Sequence, residues 1–476
     1  MTLRNTRRHL RGPAALLFAI AAAVSMAALG SENGNGNGAG GLSLTPFSRV
    51  AVIGGFADPV EAYGVAKAAA TAIATYVAAV DDTPDFDSDW VLGGFEGAVS
   101  DPPTEEEEAR IEEAILRVPT PYLIDPEGPM SATNRKKVNI VEMCNKTFAQ
   151  KALGLLPVVD DDDTTKIING YILAPALPCE VAIYADEDDD GDGFVNVNIE
   201  MLNPEAIFTL FFTDVLFGDQ MLDAEFAAAI QELPAVVNDQ IRTIIETALD
   251  ESGFQYTSDE TPLGPEYTSL EQVAEVVENV PYESPYLHFV YEKRGDRGDF
   301  DFSADDVNAV AAAIIDTLSL DGIHNRSLDA QLNIDDWRSA RPAALPVPGN
   351  LVIEACSPTN AIAAMGLGMD HATALPCEIA IKALNWDGVA GNELLMVTYL
   401  NPHFMFSALF SDAFDKLTED ELDAFMELPS SVLGDLQTIV EQAVRANNLR
   451  PVGEQPIVLT RPEQVFFDML PSADDD

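Results

Sequence analysis

The pattern of apolar and polar positions predicts a mixture of strands and amphipathic helices. Apolar residues that alternate with polar ones predict strands at 48–54, 138–143, 179–184, 194–201, 286–292, 351–355, 377–383 and 393–400. Apolar residues that recur every three or four positions predict helices at 58–79, 148–155, 303–318 and 360–365. Strands and helices do not alternate strictly. We therefore expect an α+β fold with two similar domains, each a mainly antiparallel sheet packed with helices.

The chain contains an internal repeat. Cys179 begins the sequence Cys-Glu-Val-Ala-Ile and lies 24 positions before Asn203. Cys377 begins Cys-Glu-Ile-Ala-Ile and lies 24 positions before Asn401. Equal spacing between the same motifs indicates two copies of one domain-sized unit. The predicted divisions are a signal peptide at 1–30, a Gly/Asn-rich linker at 31–44, a first repeat at 45–281 and a second repeat at 282–476.

The first 30 residues have the form of a secretory signal peptide. Arginines precede an apolar run at 14–29, and the run ends in small residues suited to cleavage. The run is short and rich in alanine, which disfavours a membrane span. We therefore expect a periplasmic or extracellular protein without a stable membrane anchor.

Composition narrows the choice of partners. The chain has 26 Lys and Arg against 79 Asp and Glu, a formal net charge of −53, and 47% hydrophobic residues. This apolar content is sufficient for buried cores. A surface this negative repels phosphate backbones, so nucleic acid is excluded as a partner. A small molecule or another protein remains.

The repeat motifs also carry a family resemblance. The Cys-x-Pro at Cys356 with a helix behind it, the Leu-Pro-Cys opening a strand, the hairpin and the Asn-Pro at its end resemble the domain of unknown function 302 family. The resemblance covers two segments, near 138–208 and 351–406. The first copy departs from the pattern because no proline follows Cys144. The resemblance implies small α+β domains, often exported, without an established activity.

The cysteines are the first candidate site. All four fall in the repeat motifs, and the repeat favours one bridge in each copy, Cys144 with Cys179 and Cys356 with Cys377. In an oxidising compartment such pairs form structural disulfides. A redox-active pair, a soft-metal site of two thiolates per copy, and reduced buried cysteines remain as alternatives. Glu180 and Glu378 disfavour the redox alternative because a neighbouring negative charge raises the pKa of a thiol.

An acidic turn is the second candidate site. Four carboxylates occupy alternate positions, namely Asp186, Asp188, Asp190 and Asp192, and a glycine follows the third. This spacing resembles the start of a calcium loop, but Val197 stands where such a loop requires a bidentate Glu. A solvated hairpin turn and a weak calcium site are both compatible with the sequence.

Asn203 and Asn401 recur at the end of each hairpin, and each precedes a proline. They are strand-ending turn residues or residues that line a pocket. Nothing in the chain forms a complete nucleophile, base or cofactor motif. The sequence therefore favours a non-enzymatic binding or interaction module built from two disulfide-stabilised repeats, with no cofactor except a possible calcium ion. The alternative is a thiol–disulfide or sulfur-handling redox protein that uses the cysteine pairs.

Overall fold

The computed structural model describes residues 44–456 with internal gaps. The gaps are 80–89, 94, 96–98, 101, 126, 146–148, 150–156, 160–164, 168–178, 187–192, 212–223, 295–301, 319–337, 340–342, 345–349, 376, 385–393 and 454. The predicted signal peptide, most of the linker and the last 20 residues lie outside the described residues.

Strands and helices occur in both halves of the chain. The strands are β1 Phe47–Phe56, β2 Trp90–Leu92, β3 Leu116–Leu123, β4 Arg135–Asn145, β5 Pro157–Val159, β6 Thr165–Ile167, β7 Cys179–Ala185, β8 Val195–Leu202, β9 Thr257–Ser258, β10 Pro262–Leu263, β11 Tyr286–Lys293, β12 Arg338–Ser339, β13 Ala343–Ala344, β14 Asn350–Cys356, β15 Cys377–Leu384, β16 Leu394–Leu400 and β17 Leu449–Pro451. The helices are α1 Pro59–Ala79, α2 Glu105–Ala114, α3 Pro204–Phe211, α4 Ala224–Glu251, α5 Leu270–Asn279, α6 Ala304–Leu318, α7 Pro358–Met365, α8 Pro402–Leu409, α9 Glu419–Met426 and α10 Leu428–Ala446. Four 3₁₀ segments accompany them, Ala132–Asn134, Pro281–Glu283, Met369–Ala374 and Ser411–Lys416.

The two halves build sheets with the same central order. Within the described residues, the first sheet has eight strands and runs β10-β1-β8-β7-β4-β2, with β3 also paired to β4 and β9 to β1. The second sheet has seven strands and runs β12-β14-β15-β16-β11-β17, with β13 also paired to β14. The order β1-β8-β7-β4 therefore matches β11-β16-β15-β14. All of these pairings are antiparallel. The predicted α+β fold with two similar sheet domains is confirmed, while the exact domain boundaries stay predictions.

Helices cover one face of each sheet. Helix α1 packs on β4, β7 and β8, and α4 packs beside it. In the second half, α6 packs on β14 and β15 and against α10. The apolar face of α1 consists largely of alanines, which allow the helix backbone to approach the sheet closely, whereas Ile73 and Val77 supply its larger buried side chains.

The other face of the first sheet is covered by a segment from the second half. Helix α7 packs on β3, and the 3₁₀ segment Met369–Ala374 packs on β4, β7 and β8. The strands of the first sheet are therefore buried on both faces. This explains why β4 and β7 are buried along nearly their whole length and do not alternate between buried and exposed positions.

Candidate functional site

The predicted disulfides are wrong. None of the four cysteines, Cys144, Cys179, Cys356 and Cys377, forms a disulfide bond in the structure. The description of the protein as two disulfide-stabilised repeats is therefore also wrong.

Strand register explains why the cysteines do not bond. Cys179 lies directly opposite Met143, one residue before Cys144. In the second half, Cys377 lies opposite Ala355, one residue before Cys356. Successive residues of a strand point to opposite faces of the sheet. In each half, the one-residue offset directs the two thiols to opposite faces.

The environment of the thiols also disfavours reactivity. Burial raises the pKa of the Cys377 thiol to about 12, and the nearby Glu180 carboxyl adds to the effect. Burial raises the pKa of Cys179 well above its ordinary value, with further contributions from Cys144 and the neighbouring glutamates. Because the thiolate is the nucleophile, these shifts oppose thiol–disulfide exchange at neutral pH.

Buried glutamates adjoin the cysteines in both halves. Glu142 lies opposite Glu180 across β4 and β7, and Glu354 lies opposite Glu378 across β14 and β15. Each of the four keeps between 4% and 8% of its surface exposed. Side chains at directly opposed positions share one face of the sheet, with Cβ atoms about 5 Å apart. Each sheet therefore holds a pair of neighbouring buried carboxyl groups.

The glutamates of the two halves lie within electrostatic reach of each other. The Glu180 and Glu142 carboxyls both raise the pKa of Glu378. We call Glu142, Glu180 and Glu378 the joint glutamates. One carboxylate oxygen of Glu142 and one of Glu378 are buried and make no hydrogen bond to the described residues.

Burial controls the protonation of the joint glutamates. It raises the pKa of Glu142 to about 7. Burial also raises the pKa values of Glu180 and Glu378 well above the ordinary 4.5, and repulsion from neighbouring carboxyls acts in the same direction. No described lysine or arginine is among the groups that shift these pKa values. Burial and mutual repulsion therefore favour the protonated forms of Glu180 and Glu378.

Gly93 provides the space for the Glu142 side chain. The Gly93 amide donates a 2.9 Å hydrogen bond to the Glu142 carbonyl. A Cβ atom at position 93 would lie 2.6 Å from the Glu142 carboxyl carbon and closer still to one of its oxygens. Residue 93 therefore cannot carry a side chain unless Glu142 moves.

A different polar pair lies farther along the first sheet. The Arg49 guanidinium donates two hydrogen bonds, of 2.9 and 2.8 Å, to one oxygen of Glu200, a fully buried residue. Burial raises the pKa of Glu200 to about 7, although the adjacent Arg49 lowers it. The Asp370 carboxyl of the second half also raises the pKa of Glu200.

A small cavity lies between α7, α8 and the ends of β14 and β15. Cys356, Cys377, Asn360 and Met405 are among its lining residues, and its volume is about 30 Å³. The buried Asn360 amide makes no hydrogen bond to the described residues. A cavity of this size holds one or two water molecules and excludes organic ligands.

Asn203 and Asn401 are placed at helix N-termini. The side-chain oxygen of Asn203 accepts a 3.1 Å hydrogen bond from the Glu205 amide, and Asn401 accepts the same bond from the His403 amide. Their side-chain nitrogens donate 2.9 Å bonds to backbone carbonyls. The structure thus gives both residues a capping role, whereas a role in a ligand pocket stays a prediction.

Most of the acidic turn lies outside the described residues, including Asp188, Asp190 and Asp192. The Asp186 carboxylate accepts a 2.8 Å hydrogen bond from the Asn198 side chain. Within the part of the chain that the structure describes, no three His, Cys, Asp or Glu side chains are arranged to hold a metal ion.

The joint glutamates are the residues that sequence reasoning missed. They are visible in the sequence as a Glu at the same place in each repeat, with apolar residues on both sides of it. An acid in a strand that is buried on both faces is the signal that could have identified them. The sequence alone does not show that the second half covers the face on which Glu142 and Glu180 lie.

Comparison with known proteins adds no assignment. No protein-family model, curated protein or solved structure matches this chain. The resemblance to the domain of unknown function 302 family therefore stays a prediction. Across the described residues, no helix combines the length and apolar composition needed to cross a membrane.

Proposed function

We propose that this protein is a proton-responsive switch, in which the joint glutamates must be protonated for the two halves to remain packed together. The observation that carries the proposal is the placement of Glu142 and Glu180 on one buried face, with Glu378 of the other half within electrostatic reach. An exported protein meets the pH of its surroundings, and the predicted signal peptide is consistent with this role.

The proposal follows from the cost of burying charge. An ionised carboxylate loses its hydration when it is buried, and it is stable there only with a cation or several hydrogen-bond donors. Among the described residues, no cation lowers the pKa values of the joint glutamates, and one oxygen of Glu142 and one of Glu378 have no hydrogen-bond donor. Ionisation of two of them would also place like charges close together. Packing of the two halves against each other therefore favours the protonated form of the joint glutamates.

Other titratable groups face the joint glutamates. Cys144 and Cys179 lie on their flank in the first sheet, and Cys377 adjoins Glu378 in the second. Glu354 lies opposite Glu378 across the strand pair. Lys382 lies farther along β15, and burial lowers its pKa to about 6. The thiols supply no positive charge to compensate the carboxylates. Lys382 is largely neutral above about pH 6 and supplies little.

The sign of the pH effect is fixed by the direction of the shifts. Glu142 has an ordinary pKa of 4.5 and a folded-state pKa of about 7. Between these values the folded chain holds a proton that the unfolded chain has released, so the free energy of unfolding falls as pH rises. Glu180 and Glu378 act in the same direction, because their pKa values are also raised well above 4.5. Lys382 acts in the opposite direction above about pH 6, because its pKa is lowered.

The test is the pH dependence of stability in Glu142→Gln, which replaces the acid with a neutral side chain of the same shape. Relative to the wild type, the variant should gain about 3 kcal/mol of unfolding free energy between about pH 4.5 and pH 7. Urea denaturation across this range measures the difference in unfolding free energy between the variant and the wild type. The contributions of Lys382 and of the surface charges are the same in both proteins and cancel. The control is Glu106→Gln on the exposed surface of α2, which should follow the wild-type curve. Parallel curves for Glu142→Gln and the wild type would refute the proposal.

Calcium binding at the acidic turn is a second proposal. Its support is the alternate spacing of Asp186, Asp188, Asp190 and Asp192, together with the ordered hydrogen bond between Asp186 and Asn198. Calorimetric titration with calcium chloride should give one binding event in the wild type and none in Asp188→Asn. No heat in the wild type would contradict this proposal and leave the proton-responsive switch unaffected.

A further inference from the structure

A segment of the second half crosses the first sheet near the joint glutamates. Residues 357–375 comprise α7 and the 3₁₀ segment Met369–Ala374, and we call them the strap. The strap leaves β14 at Cys356 and returns to β15 at Cys377. These strands are neighbours, since Ala355 lies opposite Cys377. Both ends of the strap are therefore anchored at one place, and its middle reaches across to the other half.

The strap packs on the first sheet through two alanines and two methionines. Ala361, Met365, Met369 and Ala372 form a separate buried cluster with Val118, Val138, Ile140, Ala182 and Tyr184 of the first sheet. Because alanines contribute little apolar area, the two methionines provide most of the strap's share of this contact. Among the described residues this cluster is much smaller than the two main cores, and segments held by a small apolar cluster open locally before the whole protein unfolds.

One ring fixes the 3₁₀ part of the strap. The His371 ring centroid lies 4.1 Å from that of Phe410 and 6.1 Å from that of Phe47. Its Nδ1 atom lies 2.8 Å from the Ala364 carbonyl oxygen, a contact within the strap. Of the two aromatic partners, only Phe47 belongs to the first sheet. His371 therefore adds one ring contact between the two halves.

Acidic groups lie at both the base and the middle of the strap. Glu354 and Glu378 flank its two ends, and Glu142 and Glu180 lie on the sheet that it covers. In the middle, the Asp370 carboxylate approaches Glu200 and Tyr184, and Arg49 is the cation paired with Glu200. Ionisation of the joint glutamates would thus repel the base of the strap from the sheet beneath it.

We infer that the strap is a proton-controlled cover, which lifts from the first sheet when the joint glutamates ionise and exposes the apolar face formed by Val118, Val138 and Ile140. This inference rests on the proposed function and specifies which part of the molecule responds. The helices α1 and α4 cover the first sheet from the other side, and α6 and α10 cover the second, so these layers do not depend on the strap.

Methionine oxidation by hydrogen peroxide reports the motion at single residues. Met365 and Met369 belong to the strap and are 1% and 7% exposed, whereas Met143 is fully buried under α1. Met130 is 60% exposed and serves as the reference for full access. Peptide mass spectrometry after brief peroxide treatment of the full chain gives the four rates separately.

Between about pH 6 and pH 9, the oxidation rates of Met365 and Met369 should rise at least about tenfold, because each released proton increases the opening equilibrium by up to about tenfold per pH unit. Met143 should stay protected, and Met130 should react fast at both values. In Glu378→Gln, Met365 and Met369 should remain protected to a higher pH than in the wild type.

Two results would overturn the inference. If Met365 and Met369 stay as protected as Met143 at about pH 9, the strap does not lift. If all three methionines become reactive together, the response is global unfolding. Either result leaves the proposed function standing when Glu142→Gln still changes the pH dependence of stability, so the two failures are distinguishable.

Discussion

The two halves of the molecule have different residue pairs at the same register position of their sheets. Arg49 and the buried Glu200 form a partly buried ion pair across β1 and β8, whereas the equivalent His288 and Thr398 form a neutral pair across β11 and β16. The His288 Nδ1 and Thr398 Oγ1 atoms lie 3.0 Å apart, and burial lowers the pKa of His288 to about 3, which keeps the ring uncharged.

Other positions are the same in both halves. The pairs Glu142–Glu180 and Glu354–Glu378 occupy equivalent register positions, next to equivalent cysteines. The glutamate pairs cost stability because buried carboxyls gain little from one another. The comparison therefore shows that the stabilising ion pair occurs in one half only, whereas the costly acid pair occurs in both. This pattern suits a functional role for the acids better than a structural one.

The ion pair gives the largest expected effect. Arg49→Met would leave Glu200 buried without its cation, and the free energy of unfolding should fall by about 3–5 kcal/mol at about pH 8. The loss should be smaller at about pH 5, where Glu200 is protonated and needs no partner. Urea denaturation at the two pH values measures both.

The control for this variant is Arg242→Met. Arg242 also contacts β1, through the Ser48 hydroxyl, but its other acceptor is the Asp259 carbonyl, and no carboxylate of the described residues pairs with it. Arg242→Met should lower the free energy of unfolding by about 1 kcal/mol at either pH. An Arg49 variant that behaves like the Arg242 variant would contradict the account of Glu200.

Gly93→Ala tests how tightly Glu142 is confined. The added methyl group would overlap the Glu142 carboxyl, so we expect a loss of about 2 kcal/mol in thermal or urea denaturation. Gly434→Ala in the middle of α10 is the control, because a Cβ atom there meets nothing within 4 Å. That substitution should stabilise the protein by about 0.5–1 kcal/mol. A neutral Gly93→Ala would show that Glu142 has room to move.

Thr398→Val tests the neutral pair of the second half and has the smallest expected effect. The substitution removes the hydroxyl beside His288, and we expect a loss of about 1 kcal/mol that does not change between about pH 5 and pH 8. Denaturation of this variant beside Arg49→Met compares the two halves directly. A pH-dependent loss in Thr398→Val would mean that His288 titrates, contrary to its burial.

The sequence predicted the elements better than the contacts. Alternation and helical periodicity located β1, β11, α1 and α6, because these patterns reflect local burial on one face. The cysteine bridges failed because sequence spacing does not determine strand register. A shift of one residue places Cys179 opposite Met143, and Cys144 then points to the other face.

The joint glutamates could be predicted only in part. Their recurrence beside Cys179 and Cys377 is plain in the sequence, yet an acid in a strand is ordinarily a solvent-facing residue. The strands of Glu142 and Glu180 are covered by the strap, which comes from the opposite half of the chain. No local pattern encodes such a long-range contact.

The central claim is that the joint glutamates carry protons in the folded protein near neutral pH. Infrared spectroscopy tests it directly, because a protonated carboxyl group has a carbonyl band separate from the bands of carboxylates and amides. At about pH 7 the wild type should show this band, and the triple variant Glu142→Gln, Glu180→Gln and Glu378→Gln should lose most of it, because Glu200, whose pKa is about 7, also contributes. A wild-type spectrum with no protonated carboxyl at that pH, or a band that persists unchanged in the triple variant, would contradict the account.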